Sequence, residues 1–489
     1  TLARGRRRTA RGAVITTQVG KLPDGFAVRL GGRVRTHDDG ATLVGGAPTR
    51  VLYLTDIARS LVVERTIRVV DARSRQLAET LLEAGLATPV LAELPLPGKR
   101  LHDLVTVVIP VRDRPGQLRR LLGSLGDVAP VIVVDDASLD PASVEAVAAG
   151  AGARTVRLPD NLGPAGARNA GLAHVATPFV AFVDSDMELD ADTLPLLLRH
   201  FSDPRVALVA PRITGLAPTA AANWITRYDD ARSSLDLGRE PTVVRPGARV
   251  SWLPAACLVG RVEALGAGFS PGMRVAEDVD LVWRLCEQGW RVRYEPAVEA
   301  RHEHRDRLVD WLTRKAFYGT GGADLGRRHG QVIAPAVYTP WTLVVVGALL
   351  AQRRWSVPVA AGAALVAGVR IARRLRPARS RARVTASLVG MGAIAATAQT
   401  GELLLRHWWP ITLVAGLASR RVRRAALVAA VADAVYEQYR TRARVNPLAF
   451  VVARRLDDLA YGAGLWWGAL RARSLIALAP VVRGRQSAR

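Results

Sequence analysis

Several acids and one pair of histidines stand at spacings that can do chemistry. The run "VAFVDSDMEL" (180–189) opens as an apolar stretch and closes on Asp184, Ser185, Asp186 and Glu188. Aromatic and β-branched residues favour a buried strand, whereas clustered carboxylates repel one another unless a positive charge lies between them. Two acids one residue apart at a strand end point to the same side. A hard divalent ion is their natural occupant, since Mg²⁺ or Mn²⁺ is commonly held by one or two carboxylates plus substrate phosphates. Asp135 and Asp136 close "VIVVDDAS", where a carboxylate can accept hydrogen bonds from a nucleoside; strand-end Asp residues are also ordinary turn formers. Glu277 and Asp278 open "EDVDLVWRLCEQGW", with Val279, Val282, Trp283 and Leu285 available to an apolar helix face. Acids at a helix start are commonly caps favoured by the dipole. His302 and His304 alternate after "AVEA" and are expected on one face.

The elements that must position these residues run from about 104 to 325. "LVTVVIPV" reads as a continuous apolar strand, "PGQLRRLLGSL" as an amphipathic helix, "VIVVDDAS" as a second strand and "VEAVAAGAGA" as a second helix. Apolar strands alternating with helices imply a mostly parallel, Rossmann-like sheet covered on both faces, in which ligands collect at the carboxyl ends of the strands. The acids fall at those ends.

Flanking segments differ in character. Residues 1–21 read as a basic arm without the apolar core of a secretory signal. Residues 22–95 read as a small α+β module: "FAVRLGG" and "ATLVGG" as strands, "RVLYLTDIARSLV" and "SRQLAETLLEAGL" as helices. Strands followed by helices suggest a winged-helix-like unit, similar to peptide-recognition modules of pathways that modify ribosomal peptides. Residues 330–489 alternate apolar stretches with arginine clusters. "IAPAVYTPWTLVVVGALLA" (333–351) carries no charge over 19 residues, about the length that crosses a bilayer core; 355–369, 384–400 and 408–418 are shorter. Seven arginines lie between Arg370 and Arg383 and four in 420–424, against Arg353 and Arg354 between the first two stretches. The positive-inside tendency then sets the heavier loops on the catalytic side. Short Ala- and Gly-rich spans can instead lie in the interface.

The formal charge of +25, from 68 Lys+Arg against 43 Asp+Glu, attracts phosphates or anionic lipid. Nucleic acid is not the expected partner, because the basic clusters lie between apolar stretches rather than with interleaved aromatics on one helix. Two cysteines without metal or disulfide spacing fit a reducing compartment, and together with the apolar C-terminal part they point to the cytoplasmic face of the cell membrane.

The ordered series "VTVVIPVRDRPGQL", "VVDDAS", "DNLGPAGARNAGL", "FVDSDME", "GFSPGMRVAEDVDLVWRL" and "ARHEHR" resembles the family 2 glycosyltransferases of the GT-A fold over roughly residues 104–320. Among them it looks closest to the mycofactocin-system glycosyltransferases, whose chains include a similar N-terminal segment and a hydrophobic C-terminal part. The resemblance implies that Pro110, Asp135, Asp136, Asn161, Arg168, Asp184 and Ser185 bind the nucleotide sugar, with Asp184 on the ribose side. It assigns a Mn²⁺ or Mg²⁺ ion to Asp186 with His304, or next His302, and makes Asp278, with Glu277 beside it, the catalytic acid pair: Asp278 takes the proton of the acceptor hydroxyl. Trp252, in "SWLPAACLVGR", and Trp283 fall on the acceptor side, although Trp252 also suits plain core packing.

The same resemblance implies inverting transfer of glucose from UDP-glucose onto a peptide-derived redox-cofactor precursor, in β-1,4 linkage. Gln-x-x-Arg-Trp, usual in processive polysaccharide synthases of the superfamily, is only approximated by "QRRW" (352–355), so a long secreted polymer is not expected. The rival acceptors are a lipid phosphate carrier or a cell-envelope glycan.

Overall fold

The computed structural model describes residues 20–96, 100–216, 223–376, 378–441, 443 and 445–483; the basic arm lies outside them except for residues 20 and 21. The N-terminal module comprises β1 (Ala27–Leu30), β2 (Arg35–His37), β3 (Thr42–Gly45), β4 (Arg50–Tyr53), α1 (Asp56–Ser60), β5 (Thr66–Arg68), α2 (Ala72–Ala84) and β6 (Ala87–Pro89). Its strands form two three-stranded antiparallel sheets, β5-β1-β6 and β2-β3-β4. It is thus richer in strand than a winged helix. Much of the stretch read as a helix over "RVLYLTDIARSLV" is strand, because Val51 and Leu52 pair with Val44 and Leu43, a packing that suits β-branched side chains. Helix α2 is as expected, closed by Gly85 at φ 67°, the left-handed position glycine fills without strain. The module is fastened to the next domain by Glu83, which meets Arg205 and Arg291 at 2.5 and 3.3 Å.

The catalytic domain follows: α3 (Leu101–Leu104), β7 (Val105–Val111), α4 (Pro115–Leu125), β8 (Val131–Asp135), α5 (Pro141–Gly150), β9 (Arg154–Arg157), α6 (Gly163–Leu172), β10 (Phe179–Val183), β11 (Met187–Leu189), α7 (Thr193–Leu198), β12 (Val206–Gly215), α8 (Trp224–Ala231), β13 (Thr242–Val244), β14 (Cys257–Arg261), α9 (Val262–Leu265), α10 (Glu277–Glu287) and β15 (Arg291–His302). The sheet order is β11-β15-β12-β14-β10-β7-β8-β9, with β13 on β15. Strands β10, β7, β8 and β9 are mutually parallel, so Asp135 and Asp184 emerge at one edge. All five residues of β10 are buried, because one apolar cluster covers each face of the sheet. Helix α4 sets Leu118, Leu121, Leu122 and Leu125 into the core, the i, i+3, i+4, i+7 stripe expected of a surface helix.

Beyond β15 come α11 (Leu308–Thr320), α12 (Gly322–His329), β16 (Val337–Tyr338), α13 (Pro340–Ala351), α14 (Ser356–Ala372), α15 (Arg381–Glu402), α16 (Trp409–Ala418), α17 (Arg420–Thr441), α18 (Pro447–Ala472) and β17 (Val481–Val482). The uncharged run 333–351 is not one helix. Pro335 and Pro340 break it, residues 337–338 pair with β17, and α13 keeps only 12 residues. The longest apolar helix is instead α15 with its π-helical continuation, Arg381–His407; by length and composition it suffices to cross a membrane. The expected placing of the basic loops on opposite sides also fails. Gln352 Nε2 donates to Arg421 O at 2.8 Å, which sets Arg353–Arg354 and the 420–424 cluster at the same end. Helix α18 packs on α11 so closely that a Cβ on Gly464 would clash with the Ala316 carbonyl.

Candidate active site

The site is assembled at the carboxyl edge of β7, β8 and β10. Three loops there each hold a non-glycine residue in the left-handed region: Asp113 (φ 56°) after β7, Ala137 (φ 56°) after β8 and Ala276 (φ 61°) before α10. Such conformations cost of order 1–3 kcal/mol each and concentrate at functional sites. Asp135 is buried and its Oδ1 accepts from the Ser138 N–H at 3.0 Å. Asp136 accepts from the backbone N–H groups of Leu162 and Gly163 at 2.7 and 3.0 Å, and Asn161 Oδ1 from that of Gly163 at 2.9 Å. Asp136 and Asn161 therefore build the turn that starts α6. Pro110 lies on β7 opposite Val134 of β8.

Arg168, on α6, is buried and reaches Asp184 Oδ1 with Nη2 at 2.5 Å and Glu277 Oε1 with Nη1 at 2.9 Å. The resemblance sets it toward the nucleotide; here it ties the end of β10 to the start of α10. Burial opposes its charge, yet the two carboxylates raise its pKa. Glu277 is committed to the same strut, which leaves Asp278 as the acid free to act. Among the described residues Asp278 accepts from backbone donors alone, Ala255 at 3.3 Å and Val279 at 2.8 Å. Burial, reinforced by the Glu277 charge and opposed by Arg168, pushes its pKa up to about 7.

Ser185 is buried in the turn after β10, and Asp186 beyond it meets Arg114 Nη1 at 2.6 Å and His302 Nε2 at 3.6 Å. Although burial works against the charge, His302 and Arg114 hold this carboxyl below the usual range. His302 is therefore the histidine beside Asp186. His304 is turned instead to Asp229 at 3.2 Å and Asp230 at 3.8 Å, and these two acids, against the effect of burial, raise it to about 9. The alternation that put both histidines on one face ends with β15 at His302.

Asp186 and His302 offer an oxygen and a nitrogen donor to one point, a set that suits Mn²⁺. No group of three or more His, Cys, Asp or Glu among the described residues is arranged to hold an ion alone, so substrate phosphates and water must complete the shell, as they commonly do for such ions. The residues present fit a substrate-shared divalent ion.

The resemblance sets Trp283 on the acceptor side. It is buried, donates its indole N–H to Ser251 O at 2.7 Å and meets His329 edge-on, bracing from behind the segment that carries half-buried Trp252. Sequence reasoning passed over Arg114, Arg305, Arg314 and Tyr318. Burial, then the charges of Arg314 and Arg114, lower the Arg305 pKa; Arg314 lies against the Tyr318 ring at 5.6 Å. Burial raises Tyr318 to about 12, with the Asp278 charge adding to it and Arg314 opposing it. Among the described residues neither Arg305 nor Arg314 pairs with an acid, which is the mark of a place for an anion. The four-residue spacing of Arg314 and Tyr318 on one helix was the available signal.

Comparison with known proteins agrees with this geometry. The description "Glycosyl transferase family 2" matches residues 106–235, and "Glycosyl transferase family group 2" matches 179–429. The pre-mycofactocin glycosyltransferase of Mycobacterium tuberculosis, in two strains, is 43% identical over 478 residues, covering 95% of this chain and 99% of its own. The succinoglycan biosynthesis protein ExoU of Rhizobium meliloti is 26% identical over 39% of this chain and 58% of its own. Among solved structures, a Pyrobaculum calidifontis mannosyltransferase in complex with GDP-Man and Mn²⁺ aligns over 71% of this chain and 89% of its own at 18% identity and a TM-score of 0.37, too low to carry an argument. The chain is a glycosyltransferase and belongs to family 2 with the GT-A fold, in the family of the pre-mycofactocin glycosyltransferase.

Proposed function

We propose that the chain moves glucose from UDP-glucose onto the peptide-derived mycofactocin precursor, inverting the anomeric centre and building a short β-1,4-linked oligoglucoside. The observation that carries the catalytic reading is the Arg168 strut. By joining Asp184 to Glu277 it holds Asp186 and Asp278, two residues and one residue further along the chain, at one sheet edge. Asp278 receives the proton of the acceptor hydroxyl as that oxygen attacks C1. A carboxylate poised near 7 is a stronger base than an ordinary one and remains ionised in about half the molecules at neutral pH.

Asp135 and Asp184 face the nucleoside half of the donor, and Ser185 sets the turn between the acids. Arg305 and Arg314 accept the diphosphate, with Arg114 joining them when it leaves Asp186. A divalent ion held by Asp186 and His302 would offset charge growing on the departing diphosphate, a contribution of several kcal/mol. Trp252 lines the acceptor side. The name of the 43% identical relative supports the acceptor, and the coverage of both chains supports carrying it over whole.

The test is purified protein with UDP-glucose, Mn²⁺ and an extract containing the precursor, read by mass spectrometry. A series of hexose increments on one small water-soluble compound is expected. A second reading, a lipid phosphate acceptor, is favoured by the exposed apolar side chains of α14 and α16; label appearing in the organic phase on solvent partition would select it instead.

A further inference from the structure

The turns 352–355 and 419–424 are far apart in sequence, yet the Gln352–Arg421 hydrogen bond joins them into one tip. Arg353, Arg354, Arg420, Arg421, Arg423 and Arg424 are all exposed there, and among the described residues none of them has an acidic partner. The Arg423 guanidinium donates to the Gly416 carbonyl at 2.9 Å. Large apolar side chains flank the tip: Trp355 is 51% exposed, Val357 69%, Val414 68% and Leu417 79%. Six unpaired cations rimming an exposed apolar patch complement an anionic lipid headgroup layer above acyl chains.

Helix lengths and end contacts decide how this surface meets the lipid. The 12 residues of α13 and the 10 of α16 extend about 18 and 15 Å, short of the roughly 30 Å hydrocarbon core. The 27-residue helix Arg381–His407 is long enough, but both of its ends are bound to the body of the enzyme. At its start Ser380 donates to Asp38 and Arg35 reaches Ser387 at 2.8 Å; at its finish the His407 carbonyl accepts from Trp466 of α18 at 2.7 Å. The N-terminal module and α18 are themselves fixed to the catalytic domain, through Glu83 and α11. A helix whose two ends rest on one body cannot carry them to opposite sides of a bilayer.

We infer that the tip formed by residues 352–355 and 419–424 is a docking surface for anionic phospholipid, and that the enzyme lies on one leaflet through this tip and the exposed faces of α14 and α16 instead of crossing the membrane. The inference is independent of the acceptor and of the catalytic roles assigned above. Flotation of the full chain with vesicles of phosphatidylcholine, alone or mixed with phosphatidylglycerol, tests it. Binding to the mixed vesicles is expected to be stronger by roughly a hundredfold at low salt and to fall as salt rises. The variant Arg353→Glu/Arg354→Glu/Arg421→Glu/Arg424→Glu should lose that preference and retain sugar transfer to a soluble acceptor. Trp355→Ser/Leu417→Ser should weaken binding to both vesicle types. Equal binding of the unaltered chain to both vesicle types overturns the inference, as does protein that resists alkaline carbonate extraction from native membranes. So does salt-sensitive binding to duplex DNA without binding to vesicles.

Discussion

Helix α11 contributes to two clusters of buried charge that behave in opposite ways. In the first, Lys315 and Trp311 meet Asp229, and Lys315 also nears Asp457. Around them Arg454 pairs with Asp458 at 2.5 Å and Asp433 at 3.0 Å, Arg406 with Asp458, and Arg232 with Glu437. Every acid there has a cation, and although burial opposes ionisation, the pKa values of Asp229 and Asp457 are lowered by Lys315 and its neighbours. In the second, Arg314 lies against Tyr318, which feels the charge of Asp278; among the described residues Asp278 has no cation at ion-pair distance, and it is held near 7. Balanced burial fixes α8, α11, α17 and α18 together; unbalanced burial creates a base at one point and unpaired arginines at another. Asp278 differs from the structural acids in pairing, since burial is common to both.

The sharpest way to break this comparison is to neutralise Asp278. Asp278→Asn should lower transfer by about a thousandfold, within the 10²–10⁴ range of a lost general base, with the fold intact. Its sign on stability is also set. A carboxyl whose folded pKa is raised favours the folded state while protonated, and that advantage fades as pH rises from 3.8 through 7. Thermal melting of Asp278→Asn should therefore exceed that of the unaltered chain at pH 8, with the gain shrinking below pH 7. On the balanced side, Arg454→Met should cost about 1–3 kcal/mol of stability by removing one buried cation from Asp433 and Asp458 while Arg455 and Arg406 remain beside them, seen in urea unfolding, with donor KM unchanged in the folded fraction.

Smaller effects sharpen the contrast. Arg305→Ala and Arg314→Ala should each raise the KM for UDP-glucose by roughly tenfold to a hundredfold, the value of a lost charge-assisted hydrogen bond, without moving the melting temperature as Arg454→Met does. The histidines divide in the same manner. His302→Ala should raise the Mn²⁺ concentration for half-maximal activity about tenfold and weaken Mn²⁺ binding by calorimetry. His304→Ala should leave both unchanged and lower stability instead. Because the folded pKa of His304 is raised to about 9, its contribution is full below about 6.5 and lost as pH rises through 9, so the melting difference should vanish on the alkaline side.

Much of the catalytic half was legible in the sequence because its strands are buried on both faces. Such strands leave runs like "FVAFV" that end abruptly in acids, and the acids of β8, β10 and α10 do emerge at one edge. What was illegible follows from physics that residue patterns do not record. A carboxylate has several lone pairs, and nothing local says whether Asp136 spends them on a nucleoside or on the N–H groups of Leu162 and Gly163. Nor does "GPAGARN" show that Arg168 turns inward to two acids that lie 16 and 109 residues further along the chain. The 333–351 stretch was misread because hydropathy counts missing charge, whereas a helix also needs backbone N–H groups that Pro335 and Pro340 lack. The pairing of turns 352–355 and 419–424 has no local signature at all.

The central claim is that Asp278, made basic by burial beside Glu277, takes the acceptor proton. The most direct test is the pH dependence of kcat/KM for the acceptor between pH 5.5 and 9 at saturating donor and Mn²⁺. The account predicts an acid limb with its midpoint near 7 that disappears in the residual activity of Asp278→Asn. An unaltered chain with no limb in that region, or an Asp278→Asn protein that turns over at full rate, would contradict it.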